Sequence, residues 1–411
     1  MQDRDGKTLR CLMLAADKYP PFRVDVAVLF GREMVARGHT FDWVLQSEEA
    51  CERSYRTVWS GGRVWVGRTD SGATLLSRLR KHAYDLLHDL KMFRLARARR
   101  YDLIQVKDKF ASALLAALAA RLSRARFIYW LSYPFPEAWL YYAKEGTARY
   151  PALYLLRGRV SRWVLYRVIM RLADHVFVQS EQMRDDVAAM GVDRDKLTAV
   201  PMGISLEDFP QPAAAVKNRG AEAARKVVYL GTLVRRRRID FLIRVMAKVL
   251  DVVPQARLQL VGGGDGPSDE EFIREEARRL GVEHAVTITG FLPRDQALKS
   301  IEEADLCLSP FRPTPILNSA SPTKLVEYMA MAKPVVANDH PEQRLVLAES
   351  GGGISVPYQE EAFAQAIVTL LNDPEGAADM GRRGRRYVEQ WRTYARLAAL
   401  VEKEYLRVCA R

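Results

Sequence analysis

The chain has 411 residues, 48% of them hydrophobic, and a formal net charge of +13. That length supports two cores of about 200 residues each, and no apolar run approaches the roughly eighteen residues of a membrane span. Cys11, Cys51, Cys307 and Cys409 are too scattered for a zinc site or a disulfide framework, which fits a reducing cytosol.

The opening stretch MQDRDGKTLR carries charge but no apolar h-region, so no signal peptide is expected. Residues 1–209 hold 34 Lys and Arg against 24 Asp and Glu, whereas residues 210–411 hold 29 against 26. A basic first half favours a polyanion or an anionic membrane surface as partner. In chain order, an apolar run at Leu9–Ala15 is followed by a loop with Tyr19, Pro20, Pro21, Arg23 and Asp25, then a helix ending at Arg37-Gly38-His39. Phe41–Leu45, Val64–Val66, Asp102–Val106, Phe127–Leu131 and His175–Gln179 read as further strands. Leu79, Ala83, Leu86, Leu90 and Phe93 recur at helical spacing, which predicts an amphipathic helix with Arg78, Lys81 and Lys91 on its other face. Val200–Pro212 is polar and proline-bearing and reads as a linker. Beyond it come Val227–Leu230, Leu258–Val261, Val286–Thr289, Leu306–Ser309, Pro334–Ala337 and Gly353–Val356, with helices between. The alternation predicts an α/β protein of two doubly wound parallel sheets, with ligands at the carboxyl ends of the strands.

One stretch carries a site of its own: Ser319–Ala337, SASPTKLVEYMAMAKPVVA. Ser321 reads as an N-cap and Pro322 as the first helical residue. The helix runs through Lys324, Glu327 and Tyr328 to about Ala332, and Pro334 stops it before a buried strand. The N–H groups of Thr323 and Lys324 then point outward at the positive end of the helix dipole, a site for an anion. Glu327 lies three residues from Lys324 on the same face. A nucleotide diphosphate fits this layout, with the diphosphate at the tip and ribose hydroxyls on Glu327. An ordinary capped helix before a core strand is the other reading.

The surrounding motifs resemble glycosyltransferase family 4. They are YLGTLVRRRRIDFLI (Tyr229–Ile243), LVGGGDGP (Leu260–Pro267), ITGFLPRDQ (Ile288–Gln296), ADLCLSPF (Ala304–Phe311), SPTKLVEYMAMAKPVVAND (Ser321–Asp339) and ESGGGISV (Glu349–Val356). ADHVFVQSEQM (Ala173–Met183), VPMGISLEDF (Val200–Phe209) and, more weakly, RGH (Arg37–His39) extend the likeness. The resemblance implies the GT-B fold: two Rossmann-like domains facing a cleft, the first over 1–205 with a returning helix at 392–411, the second over 213–391. It also implies a transferase that moves a sugar from a nucleotide diphosphate to an acceptor hydroxyl with retention of configuration. No cofactor or metal is expected, because fixed cations can neutralise the leaving diphosphate.

Carried over by position, the family's phosphate-binding Arg falls on Thr232 and its Lys on Arg237, with Arg235 available to compensate for Thr232. Gly263 lies in the glycine turn that the family places near the nucleotide. Of the family's paired glutamates, Glu327 matches the second, while Ser319 stands at the first, which leaves the transferred sugar open. On the donor side the candidates are therefore Arg237, Lys324 and Glu327 for catalysis, with Thr232, Arg235, Gly263, Ser319, Ser321, Pro322 and Thr323 for binding. On the acceptor side they are Arg23, Asp25, Lys107, Asp108, Ser132 and Tyr133. Ser132 stands near the position of the family's catalytic-loop histidine. His39 and His175 read as structural, and the DxD of Asp193–Asp195 reads as a turn.

Two basic stretches, Leu75–Arg100 and Tyr150–Leu172, are open to reading as a membrane-facing surface or as solvated faces. The main expectation is a cytoplasmic enzyme, peripheral at the inner face of the plasma membrane, acting on a lipid-linked or polysaccharide acceptor. The alternatives are a degenerate nucleotide-sugar-binding scaffold of an envelope polysaccharide system and a sugar-nucleotide epimerase. Nucleic acid is not an expected partner, since the basic residues form no recognised module. The segment Gly384–Val408 reads as one or two helices with Tyr387, Trp391, Tyr394, Leu397, Leu400 and Tyr405 apolar. Its part beyond Trp391 is expected to pack on residues 1–200.

Overall fold

A computed structural model describes residues 8–70, 74–209 and 223–410. Pro210–Pro212 of the expected linker, and the expected domain start at residue 213, lie outside the described residues. The chain divides into two units, Met1–Pro201 with Tyr394–Arg411, and Met202–Thr393.

In the first unit, β1 (Arg10–Tyr19), β2 (Thr40–Ser47), β3 (Tyr55–Trp59), β4 (Gly62–Gly67), β5 (Leu103–Lys107), β6 (Arg126–Leu131), β7 (His175–Val178) and β8 (Leu197–Ala199) form one sheet. Their order is β3-β4-β2-β1-β5-β6-β7-β8. Every pairing is parallel except that of β3 with β4. In the second unit, β9 (Arg225–Leu230), β10 (Ala256–Val261), β11 (Val286–Ile288), β12 (Leu306–Ser309), β13 (Val335–Asn338) and β14 (Gly353–Val356) are all parallel, in the order β11-β10-β9-β12-β13-β14. Both sheets reverse their winding once, between β1 and β5 and between β9 and β12. Those switch points are where the carboxyl ends of the strands leave a crevice.

Central strands such as Leu103–Lys107 and Val335–Asn338 are buried along their whole length, which is why they read as unbroken apolar runs. The edge strand Tyr55–Trp59 is half in solvent and Leu197–Ala199 has only three residues. Neither gives such a run, and neither was legible as a strand.

The stretch predicted as one basic amphipathic helix is two, Leu75–Asp89 and Lys91–Ala98, and the first is turned the other way. Leu79, Leu86 and Leu90 are exposed, while Ser77, His88 and Asp89 are buried. Polar partners set this orientation. Lys109 pairs with both Asp85 and Asp89, Ser112 donates to Asp89 at 2.5 Å, and the His88 ring lies 3.0 Å from the Trp65 carbonyl. Leaving these charges buried without partners would cost more than exposing three leucines.

The last helix, Tyr394–Cys409, belongs to the first unit. Tyr394, Leu397, Val401, Tyr405 and Val408 join a core with Cys11, Phe30, Trp43, Trp130 and Phe177. The Tyr405 hydroxyl donates to Gln105 Oε1 on β5 at 2.5 Å. Both histidines read as structural are tied to this helix. His39 Nε2 is 3.0 Å from Glu402 and Arg407 donates to His175 Nδ1 at 3.1 Å. Replacing the fully buried Tyr405 removes ring packing and leaves Gln105 without this partner. Tyr405→Ala is expected to destabilise the first unit by about 3–5 kcal/mol, read as a lowered midpoint in urea unfolding, while the midpoint of the second unit stays put.

Candidate functional site

In the second unit the site begins at the carboxyl end of β9. Gly231 donates to the Val261 carbonyl at 2.9 Å, and the next strand's turn comes so close that a Cβ on Gly262 would lie 2.1 Å from the Gly231 oxygen. Only glycine allows this approach. The helix Thr323–Ala330 aims its first turn at the same place. Lys324 Nζ donates to the Tyr229 hydroxyl at 3.0 Å and sits 4.3 Å from the centre of the Tyr229 ring and 5.5 Å from that of Phe311. A Cβ on Gly231 would come within 2.9 Å of that ammonium. Among the described residues no carboxylate pairs with Lys324.

The helix is held to the strand by Tyr328, whose buried hydroxyl accepts from the Leu230 N–H at 2.7 Å. The carboxylate of Glu327, half-buried one turn in, forms no hydrogen bond or ion pair with a described residue. Burial raises its carboxyl above the usual range, against the pull of Lys324 and Arg294.

The start of this helix differs from the sequence expectation. Pro322 occupies the N-cap position with extended ψ, Thr323 is the first helical residue, and no side chain caps the end. Ser321 is not the cap because its hydroxyl accepts the Met202 N–H at 2.9 Å. The helix also stops earlier, at Ala330, as Ala332 turns to φ +52°. An uncapped N-terminus leaves its N–H groups for a ligand.

The four arginines after β9 separate by partner. Arg235 lies over the Phe272 ring at 4.8 Å, and its backbone N–H reaches Asp269 at 3.2 Å. Arg236 pairs with Asp265 at 3.2 Å in solvent. Arg238 forks onto Asp240 at 2.8 and 3.0 Å. Arg237 is half-buried and has no such partner among the described residues. Thr232 is exposed beside it, and its carbonyl lies 3.4 Å from the Tyr229 hydroxyl. Gly263 serves packing here, since its carbonyl accepts from Leu233 at 2.9 Å and the Phe291 ring covers it. Ser319 is buried in a short turn, Leu317–Ser319, whose Leu317 carbonyl faces His340 Nε2 at 2.7 Å. Tyr229, Tyr328, Phe311 and His340 were not singled out in the sequence. The available signal was an aromatic with a polar tip at the end of a strand or one helical turn from Lys324.

In the first unit, polar groups converge at the carboxyl ends of β1 and β5. Lys107 is buried and pairs with Asp17 at 3.0 Å and Asp25 at 2.9 Å, while Arg23 meets Asp25 at 3.2 Å and Asp17 at 3.6 Å. Burial would raise the Asp25 carboxyl, but Lys107 and Arg23 hold it below the usual range. Asp108 follows with φ +59°, a strained conformation for a residue with a side chain. Ser132 donates to it twice, from its backbone N–H at 2.9 Å and from its hydroxyl. Burial pushes the Asp108 carboxyl up to about 6, against Lys107, the Ser132 hydrogen bonds and Arg23. Tyr133 packs edge-on to Phe135, 4.9 Å between centroids. Elsewhere, Asp193 Oδ1 accepts the Asp195 N–H at 3.0 Å, so the DxD is a turn.

Two doubly wound parallel sheets, each with a polar constellation at its switch point, define the GT-B glycosyltransferase class. The fold matches a sucrose-phosphate synthase from Thermosynechococcus elongatus at a TM-score of 0.72 and 22% identity, over 98% of this chain and 99% of that one. It also matches an Anabaena protein solved with UDP and glucose, at a TM-score of 0.66 and 16% identity over 96% and 99%. The family model described as "Glycosyl transferase 4-like domain" matches residues 26–203, and the one described as "Glycosyl transferases group 1" matches 224–373. The chain belongs to glycosyltransferase family 4. Among its relatives are the GDP-mannose-dependent alpha-(1-6)-phosphatidylinositol monomannoside mannosyltransferase of Mycolicibacterium smegmatis, 32% identical over 56% of this chain and 62% of that protein, and a D-inositol 3-phosphate glycosyltransferase of Kineococcus radiotolerans, 27% identical over 59% and 57%. The chain thus spans about six-tenths of the length of these relatives.

Proposed function

We propose that the protein transfers a sugar from a nucleotide diphosphate sugar to a hydroxyl of a lipid-linked or polysaccharide acceptor, with retention of configuration and without a metal ion. The observation that carries this reading is the start of the helix Thr323–Ala330. There an uncapped N-terminus, an ammonium with no carboxylate partner and a carboxylate with no cation partner stand within one turn of each other. The diphosphate takes the helix N–H groups, Lys324 and Arg237, whose fixed charges stabilise the leaving group as its bond to the sugar breaks. Glu327 accepts hydrogen bonds from ribose hydroxyls. The leaving phosphate takes the acceptor's proton as the acceptor oxygen bonds to the anomeric carbon on the face it leaves.

The named substrate of the mycobacterial relative supports a lipid-linked acceptor, and the basic first half supports an anionic membrane surface as a partner. No helix of the described residues is long and apolar enough to cross a membrane; the contact inferred is peripheral. In the first unit, Asp108 accepts a hydrogen bond from another hydroxyl of the acceptor, one that keeps its proton, and the Ser132 hydrogen bonds hold the Asp108 carboxylate in place.

Release of nucleoside diphosphate from a panel of nucleotide sugars tests the donor assignment. Glu327→Ala is expected to cost about 1.5–3 kcal/mol, roughly 10- to 100-fold in donor kcat/KM, with the fold intact. Unchanged donor turnover would refute the ribose contact. EDTA should leave the rate unaltered, and a loss restored by Mn²⁺ would overturn the metal-free mechanism.

Asp108 gives a pH signature. With its carboxyl up at about 6, it is a carboxylate above that pH and protonated below it. The rate should therefore fall as pH drops through about 6. Asp108→Asn should be slower at neutral pH and lack this acidic limb. Because a raised carboxyl opposes folding once ionised, the variant should be no less stable at neutral pH. An acidic limb that persists in the variant would assign it elsewhere.

A further inference from the structure

The helix Pro151–Trp163 packs along Phe135–Lys144, and the crossing is at Gly158, where a Cβ would lie 2.7 Å from the Leu140 side chain and 3.1 Å from the Pro136 carbonyl. Gly158 is the one buried residue of this helix. On the opposite face, at spacings of three, four and three, stand Leu153, Leu156, Val160 and Trp163, exposed by 58, 62, 54 and 63%. Helical geometry puts them in one outward stripe. Arg157 and Arg159, both exposed, flank it on either side, the Arg157 guanidinium lying 3.9 Å over the Trp139 ring with its outer edge in solvent. The helix contains no acidic residue.

The feature is not isolated. The helix Phe110–Ser123 exposes Leu114, Leu118 and Leu122 at four-residue spacing, and the inverted helix Leu75–Asp89 exposes Leu79, Leu86 and Leu87. Phe110 touches Trp139 of the Phe135–Lys144 helix, with ring centroids 6.1 Å apart, which links these helices into one neighbourhood of the first unit. Of twenty exposed large hydrophobic residues among those described, thirteen lie between Leu79 and Trp163 and three in the second unit. Several stripes spread over successive helices suit an extended plane better than a single groove.

We propose that this face, with the helix Pro151–Trp163 at its centre, docks in the plane of an anionic lipid bilayer. Leu153, Leu156, Val160 and Trp163 enter the boundary between headgroups and acyl chains, and Arg157 and Arg159 reach anionic headgroups from the flanks. Charge decides the occupant, since the stripe is edged by cations and its helix has no anion to offer a basic partner. The inference rests on the lipid-linked acceptor reading for its purpose, but its test reads binding alone.

The full chain is mixed with vesicles of phosphatidylcholine, with or without a phosphatidylglycerol fraction, and bound protein is measured by sedimentation. Binding is expected only to vesicles with the anionic lipid, and it should weaken as salt rises. Leu153→Ser, Leu156→Ser and Trp163→Ser combined should weaken it by on the order of tenfold or more, as should Arg157→Gln with Arg159→Gln. The three serine positions and Arg159 are exposed, and Arg157→Gln gives up only the stacking of its guanidinium 3.9 Å over the Trp139 ring, so circular dichroism should match wild type, as should the thermal midpoint of the serine variant. No wild-type binding to anionic vesicles would overturn the proposal. So would a serine variant that binds as wild type does, or a wild-type dimer that the serine variant disrupts, which would make the face a contact between copies. Water-supported release of nucleoside diphosphate from the donor, measured in the serine variant, reports the proposed chemistry separately. Normal release with lost vesicle binding upholds the docking face, and lost release with normal binding counts against the donor reading without rescuing this one.

Discussion

The reversal of winding at the middle of each sheet is the constraint on which the rest depends. Strands β9 and β12 are neighbours, yet their connections leave over opposite faces, so no helix closes directly above their carboxyl ends. Backbone must fill that gap or frame it. In the second unit it does the latter, because Gly231 and Gly262 bring two turns together closely enough to leave a ledge beside Lys324. The Tyr229 hydroxyl and Tyr328 then fix the helix at one height over the sheet. A side chain on Gly231 would displace the ammonium itself, and one on Gly262 would push the Gly231 turn away.

Comparison of the cations at the two switch points separates their roles. Lys107 is buried and sits between two aspartates, and Lys109 likewise meets Asp85 and Asp89. Buried charge persists only with such partners, so those lysines are committed to the protein. Lys324 and Arg237 have aromatic or solvent surroundings in place of a carboxylate. Among the described residues, Lys324 and Arg237 thus keep their charge unpaired. In the first unit the carboxylate of weakened acidity is Asp108, which already accepts two hydrogen bonds from Ser132 and suits a neutral hydroxyl better than an anion.

Much of this was legible in the residues, for physical reasons that also mark its limits. Strands buried on both faces announce themselves, and those of the second unit were all readable. Leu197–Ala199 and the half-solvated Tyr55–Trp59 lack that signature. The helical period at Leu79–Phe93 was real, but periodicity reports which residues share a face and not which face is inward. There the buried ion pairs of Asp85 and Asp89 with Lys109, 20 or more residues away, decided the matter. Ser321 shows the same limit, since its hydroxyl satisfies Met202, 119 residues earlier. Lys324 and Glu327 stood out because helix spacing is local, whereas Tyr229 became part of the site only once β9 and the helix met.

The place of the last helix has a consequence for how the protein is made. Met202–Thr393 is inserted within the first unit, and its two ends are fastened together where Ile204 donates to the Arg392 carbonyl at 2.9 Å. During synthesis the second unit's residues are therefore all available before Tyr394 emerges. The first unit must wait, with Phe30 already packed on Trp130 but the place of Tyr405 beside Phe177 still open, while the whole inserted unit is translated. The first half of the chain is made first and finished last, and in that interval Phe177 and Gln105 wait for Tyr405.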